Sequence, residues 1–303
     1  KRKIPFIVIS GNHDSAERLS FASRILRSTG LFLCGDLYHT LAPVILKDDD
    51  GEVAFAPLPY AEPGKVREAL SADVHTHEEA ERVLSDFLLR QMGHAARKIA
   101  IAHEFVAGGS ASDSERPLSI GGTDLISADV FAPYNYTALG HLHGPQKAGG
   151  KENVRYSGSL LKYSFSEATQ KKGVIVGEID GAGQVKTEFI SLSARHDVRV
   201  IKGFFDDLIK EKSEDFLMAE LLDEGPVIDA MARLRQKYPR MMTIQSHRRM
   251  NSGSGERSFD LMKKVDPLDM FRVFYKEFQD KEFTEEEENY MKELWEDLRK
   301  EDD

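Results

Sequence analysis

Three things are scarce in this chain of 303 residues. Cysteine occurs once, at Cys34, which rules out an internal disulfide and fits a reducing compartment. No apolar run approaches the roughly 18 residues of a membrane-crossing helix. Lys1-Arg2-Lys3 and the short apolar run behind it are also too little for a signal peptide. A cytoplasmic protein without membrane association is expected. Net positive charge is the third absence: the formal charge is −10, which argues against a surface wholly devoted to nucleic acid. That acidity is local, however, because residues 276–303 hold 13 acids against 5 bases. With 41% hydrophobic residues the chain can bury a full core, and its length suits one large domain plus a smaller one.

What is present begins with Ile4 to Ile9, an apolar, β-branched run too short for a helix. It reads as a central strand covered on both faces, and it ends in Gly11-Asn12-His13-Asp14. In open sheets that carboxyl end is where ligands bind. Gly11 would let the chain turn, Asn12 offers a neutral oxygen, His13 an acid or base, and Asp14 a carboxylate to orient His13. Asp14 and Glu17 have capping-box spacing, and Leu19, Ala22, Ile25 and Leu26 predict one helix, stopped by Gly30. Short strands follow at Leu31–Cys34, Val44–Leu46 and Glu52–Ala56, with Asp48-Asp49-Asp50-Gly51 as a hairpin turn, then a helix from about Glu78 to Met92.

A second apolar strand, Lys98–Ala102, ends at His103; a glycine- and serine-rich loop, Val106–Pro117, comes next. A third, Tyr136–Gly140, ends in His141-Leu142-His143. Residues two apart in an extended segment project to one side, so two imidazoles there point to metal rather than to packing. Strand patterns continue at Val154–Gly158, Gly173–Ile179 and Lys186–Leu192. Together the strand ends offer Asn12, His103, His141 and His143, nitrogen and neutral oxygen donors without a thiolate, which suits Mn, Fe or Zn better than Ca. Two-metal phosphoester hydrolysis would use ions roughly 3.5 to 4 Å apart, with His13 as the proton donor to the leaving oxygen.

Beyond about residue 195 the character changes. Arg195–Lys202 and Met241–Gln245 read as strands, Phe216–Leu222 is apolar, and Gly225-Pro226 introduces a helix with Val227, Met231, Leu234 and Tyr238. Arg233, Arg235, Lys237, Arg240, His247, Arg248 and Arg249 make a basic grouping suited to DNA phosphates. Asn251 to Gly255 reads as a linker. Asp266-Pro267 opens a helix with Leu268, Phe271, Phe274, Tyr275 and Phe278 as its stripe. Thr284 and Glu287 box a second, with Tyr290, Met291, Leu294, Trp295 and Leu298. Aromatic stripes on acidic helices beyond a linker suit docking on a partner. The expected domains are therefore 1–195, a small α/β unit at 196–250, a linker at 251–263 and a helical tail at 264–303.

Gly11-Asn12-His13-Asp14, the strand-end His103 and Gly140-His141-Leu142-His143 resemble the third, fourth and fifth motifs of the calcineurin-like metallophosphoesterases. The longer stretches Asn12 to Phe21, Ala102 to Val106, and Tyr156-Ser157-Gly158-Ser159 with Lys162 to Glu167 resemble the SbcD-type nuclease subunits within that superfamily. The resemblance implies an α/β fold, a four-layer αββα sandwich with a small α/β capping domain and a helical tail. It implies two divalent ions, usually Mn2+, one held by Asn12, His103 and His141 and the other by His143. His13 would be the catalytic acid and Asp14 its support. It also implies DNA as substrate, cut at ends and hairpins, and an SbcC-type ATPase gripped by residues 264–303, with the nuclease as a homodimer within a heterotetramer.

The family's first two motifs, Asp-x-His and Gly-Asp-x-x-Asp at strand ends, do not precede Gly11. Asp73-Val74-His75-Thr76-His77 and Gly35-Asp36-Leu37-Tyr38-His39 imitate them but follow the third motif, and read as a helix start and a turn. The expectation is a chain truncated by about two strand-helix units that binds metal weakly and does not cleave DNA by itself. A phosphatase of another phosphoester and a non-catalytic interaction protein are the other classes these residues allow.

Overall fold

The computed structural model describes residues 4–110, 125–223 and 225–246, with Phe271, Tyr275, Thr284, Glu287, Glu288, Tyr290, Met291 and Leu294 of the carboxyl-terminal stretch. It is mixed α/β. In order come β1 (Phe6–Ile9), α1 (Ala16–Leu19), α2 (Ser23–Arg27), β2 (Leu31–Cys34), β3 (Val44–Asp48), β4 (Gly51–Leu58), α3 (Pro63–Leu70) and α4 (His77–Met92). Then follow β5 (Arg97–His103), β6 (Phe105–Val106), β7 (Leu125–Ile126), β8 (Tyr136–Gly140), β9 (Gln146–Ala148), β10 (Lys151–Tyr156), β11 (Gly173–Ile179) and β12 (Val185–Ser191). The last are β13 (Val198–Gly203), α5 (Phe205–Leu208), β14 (Phe216–Leu221), α6 (Ala230–Arg235) and β15 (Met241–Ser246).

The main sheet runs β3-β4-β5-β8-β10-β9. Its four inner strands are parallel, and β3 and β9 add antiparallel edges. That arrangement explains the composition of β4 and β5: Ala54, Ala56, Ala100 and Ala102 are fully buried, small enough to admit the packed layers. Helix α4 covers the sheet with Ala80, Leu84, Leu88 and Met92, a stripe at helical spacing. Burying Leu84 or Leu88 contributes about 1.5–3 kcal/mol each. The helix starts where Thr76 and Glu79 close a reciprocal capping box. At the sheet's opposite end Arg97, almost fully buried, makes two bonds of 2.8 and 2.6 Å to Asp48.

Two expectations are corrected here. β1 is not covered on both faces: among the described residues it pairs only with β2, in parallel, and Ile4, Phe6 and Val8 are 63%, 60% and 37% exposed. An apolar run signals burial without saying on how many sides. The single helix after Asp14 is two short ones, because Ala22 stands at φ 59° between them and breaks the hydrogen-bonded ladder. Its cap is Ser15, whose hydroxyl accepts from the Arg18 amide, not Asp14. Helices α3 and α5 and strand β9 were not expected from the sequence pattern.

The chain divides into two compact units. The first takes residues up to 200 with 212–218 and 238–242, and the second takes 201–211, 219–237 and the rest. The first holds the main sheet and the hydrophobic core from Leu41 to Tyr156. In the short sheet β13-β14-β15 the two outer strands follow the pattern read from the sequence. In the second unit Arg233 lies 4.3 Å over the Phe205 ring, an attraction between cation and ring face. No helix among the described residues is long and apolar enough to cross a membrane.

Candidate metal centre

Strand β1 ends at Ile9, β5 at His103 and β8 at Gly140, and the residues just past these ends meet. The link between β1 and the main sheet is direct, since the Tyr60 amide donates to the Ser10 carbonyl at 3.0 Å. His103 sits at the centre. Its Nε2 is 3.0 Å from Asn12 Oδ1, and its ring meets that of His141 edge-on, with centroids 5.4 Å apart. His141 also lies against Phe105, 5.8 Å between centroids.

The glycines beside this ring are there for room. A Cβ on Gly11 would stand 2.6 Å from His103 Cε1, and one on Gly140 would stand 2.8 Å from Nδ1. Either is closer than real Cβ atoms approach, so His103 occupies a slot that only two glycines leave open. Sequence reasoning assigned Gly11 to a sharp turn; its φ is not in the left-handed region, and close approach is the physical need. The turn itself is held by Asp14, whose Oδ2 accepts from the Gly11 amide at 2.8 Å. Among the described residues no hydrogen bond joins Asp14 to His13, so Asp14 braces the loop backbone. His13 stands exposed at the rim.

His141 carries strain. Its φ is +102°, in a region that side chains rarely occupy. Such a conformation persists where the surroundings over-determine it, and here Gly140 and Leu142, the latter buried, fix the chain on both sides.

Electrostatics favour a neutral His103. Burial pushes His103 down to about 4, and the His141 imidazole adds to the depression; Asp14 opposes it. A nitrogen that stays unprotonated keeps its lone pair for a cation. The 3.0 Å between Asn12 Oδ1 and His103 Nε2 equals the spacing of neighbouring ligands on an octahedral ion with bonds of about 2.1 Å. The donor set therefore fits a divalent transition ion. Among the described residues, no group of three or more His, Cys, Asp or Glu side chains is arranged to hold a metal ion. Cys34 is buried, its thiol pushed up to about 11, and takes no part.

His143 has its own support. Its Nδ1 lies 2.9 Å from Glu167 Oε1, a carboxylate with no exposed surface. Glu167 pairs in turn with Lys172 at 2.6 Å. Sequence reasoning gave neither residue a role: an acid at the end of Ser164-Phe165-Ser166-Glu167 looks like a solvated turn. Only the fold shows that the one-turn helix capped by Ser164 drives it inward.

In the two imitations of the first two motifs the acids are taken up by local partners. Asp36 accepts from the Tyr38 amide and pairs with His39 within its own turn. Asp73 and His75 pair at 3.1 Å on the exposed approach to α4. A cleft of about 370 Å³ opens beside Asn12, lined by Asp14, Glu17, Asp36, Tyr38, Tyr60 and Lys65.

Of the basic grouping, Arg233 covers Phe205 and Arg240 pairs with Glu214; His247, Arg248 and Arg249 lie outside the described residues. So do the loop segment 111–124, the linker at 251–255 and, of the tail stripes, Leu268, Phe274, Phe278, Trp295 and Leu298. Within the tail the Thr284–Glu287 box is present, with Glu287 accepting from the Thr284 amide at 2.9 Å and Thr284 from the Glu287 amide at 3.3 Å. Tyr275 donates to the same Glu287 at 3.0 Å.

Residues 194–278 match the family model SbcD_C, described as the type 5 capsule protein repressor C-terminal domain. The match takes in β13, β14 and β15 and the first part of the carboxyl-terminal stretch. It supports an SbcD-like protein.

Proposed function

We propose that this chain is the nuclease subunit of an SbcCD-type complex, hydrolysing phosphodiester bonds at DNA ends and hairpins on a calcineurin-like αββα scaffold. The observation that carries the reading is the convergence of Asn12, His103 and His141 from three strand ends, with His103 seated between Gly11 and Gly140. The SbcD_C match over residues 194–278 favours DNA over other phosphoesters.

Asn12, His103 and His141 would hold one divalent ion, Mn2+ foremost, and His143 would contribute a donor to a second. Bound there, such ions would lower the pKa of water and withdraw charge from the phosphate. The chain's own residues do the rest. His13 at the rim faces the scissile phosphate and gives its proton to the leaving oxygen. Asp14 keeps His13 in place through the loop backbone, by way of the Gly11 amide. Residues 264–303 dock on an SbcC-type ATPase, and two nuclease chains sit in the heterotetramer, in the cytoplasm.

The test is cleavage of a hairpin DNA in Mn2+ by the protein as its cell makes it, with and without the ATPase. A small phosphomonoester is the parallel substrate. Hairpin cleavage that His141→Ala abolishes supports the nuclease. Turnover of the monoester alone makes it a phosphatase, and turnover of neither makes it an interaction protein.

A further inference from the structure

Beneath His143 lies a buried ion pair that the chemistry above does not use. Glu167 spends its two oxygens separately, Oε1 on His143 Nδ1 at 2.9 Å and Oε2 on Lys172 Nζ at 2.6 Å. Lys172, 6% exposed, also reaches the His143 carbonyl at 2.7 Å, Ser159 Oγ at 2.8 Å and Gln170 Oε1 at 2.8 Å. Taking both charges out of water costs several kcal/mol per ion, and such a pair is weak evidence for stability. Its geometry points elsewhere, because Glu167 meets the His143 ring while Lys172 meets the His143 carbonyl and Ser159 of the loop beside it.

We infer that Glu167, fixed by Lys172, is a positioning residue that sets the tautomer and the orientation of His143. A carboxylate engaged with an ammonium can only accept. The 2.9 Å contact therefore puts the ring proton on Nδ1 and the lone pair on Nε2. Lys172 fixes the backbone as well: it shares the His143 carbonyl with the Ser159 amide, which donates at 3.1 Å. Gly158, at φ +77°, lets the loop close in, since a Cβ there would stand 2.6 Å from that same carbonyl oxygen. Ring and backbone are thus held by one buried carboxylate and one buried ammonium. Donating the outer ring proton to a carboxylate orients a metal-binding histidine and raises its basicity. This consequence rests on the proposed role of His143 as a metal donor; the tautomer does not.

The experiment uses the full chain labelled with 15N-histidine, free of metal, at a pH well above the imidazole range. Long-range proton–nitrogen correlations report each ring, and His143→Gln identifies the signal. The expected result is a proton on Nδ1 of His143. Glu167→Ala should turn this into a mixture of tautomers and weaken Mn2+ binding roughly 10- to 100-fold. Glu167→Gln, which keeps an acceptor oxygen at the same reach, should restore part of both. A proton on Nε2 in the unaltered chain overturns the assignment, and so does an unchanged tautomer in Glu167→Ala. If the alanine variant does not fold, the spectrum of the unaltered chain decides alone. A chain with the expected tautomer, lost in Glu167→Ala, that binds no Mn2+ supports the positioning role and overturns the metal reading.

Discussion

Asn12 Oδ1 and His103 Nε2 stand 3.0 Å apart although 91 positions separate them in sequence. The contact exists because β1 and β5 end side by side and because the glycines at 11 and 140 leave the imidazole its slot. A methyl group at either glycine would therefore displace the ring. Gly11→Ala and Gly140→Ala should each lower Mn2+ affinity at least tenfold while costing the fold about 1–3 kcal/mol, the usual range for overpacking. Gly64→Ala, at an exposed position of α3 with only ordinary contact around it, is the control: it should leave Mn2+ affinity unchanged and raise stability by roughly 0.5–1 kcal/mol. Titration with Mn2+ and urea unfolding measure the two effects.

His141 should trade stability for function. Its φ of +102° costs on the order of 1–3 kcal/mol for a side chain. Glycine relieves that strain but loses roughly 0.5–1 kcal/mol of chain entropy. His141→Gly is thus expected to unfold at slightly higher urea than the parent chain while losing its metal. A variant less stable than the parent would show that His141 packing outweighs the backbone strain.

Glu81 makes stability depend on pH. Its carboxyl, fully buried on α4, is pushed up to about 8 by burial, from an ordinary 4.5. Below 4.5 it is neutral in both folded and unfolded chains, so folding loses nothing. As pH rises toward 8 the unfolded chain gains by ionising and the folded one does not, so stability falls by up to about 1.4 kcal/mol per pH unit. Glu81→Gln should flatten this decline. Urea midpoints between mildly acid and mildly alkaline pH check it, the difference between variant and parent being the readout.

The carboxyl-terminal stretch should be separable from the sheet. The Thr284–Glu287 box and the Tyr275–Glu287 hydrogen bond satisfy one another within the tail. Removing residues 264–303 is expected to abolish capture by an SbcC-type ATPase and to leave the thermal transition of the main sheet in place. Retained capture in a pull-down rules out the docking role.

Much of the site was legible because its donors sit where apolar strand patterns stop. Ile4–Ile9, Lys98–Ala102 and Tyr136–Gly140 each announce a strand as a short apolar run, and polar residues follow at once. Glu167 and Lys172 were hidden for the opposite reason. Their stretch has no periodicity, and burial of a charged pair is decided by tertiary packing. The capping of the first helix was misplaced by one residue because Asp14 and Ser15 are both good caps, and the choice fell to Ser15 once Asp14 was taken by the Gly11 amide. The break at Ala22 has no sequence signal that we can name. β1 was misjudged for exposure because hydropathy does not say how many neighbours a strand has.

The parallel order β4-β5-β8-β10 also governs how the protein reaches its native state. Parallel neighbours cannot be joined by a hairpin, so each pairing must wait for a long crossover to be ordered first. High contact order of this kind slows folding, and the cluster of Asn12, His103 and His141, drawn from the ends of β1, β5 and β8, has no counterpart in any short peptide of the chain. A cation captured there binds only the finished sheet, so it should retard unfolding more than it hastens folding. The denatured ensemble would meet the ion as scattered histidines, and the time course of refolding would scarcely register it.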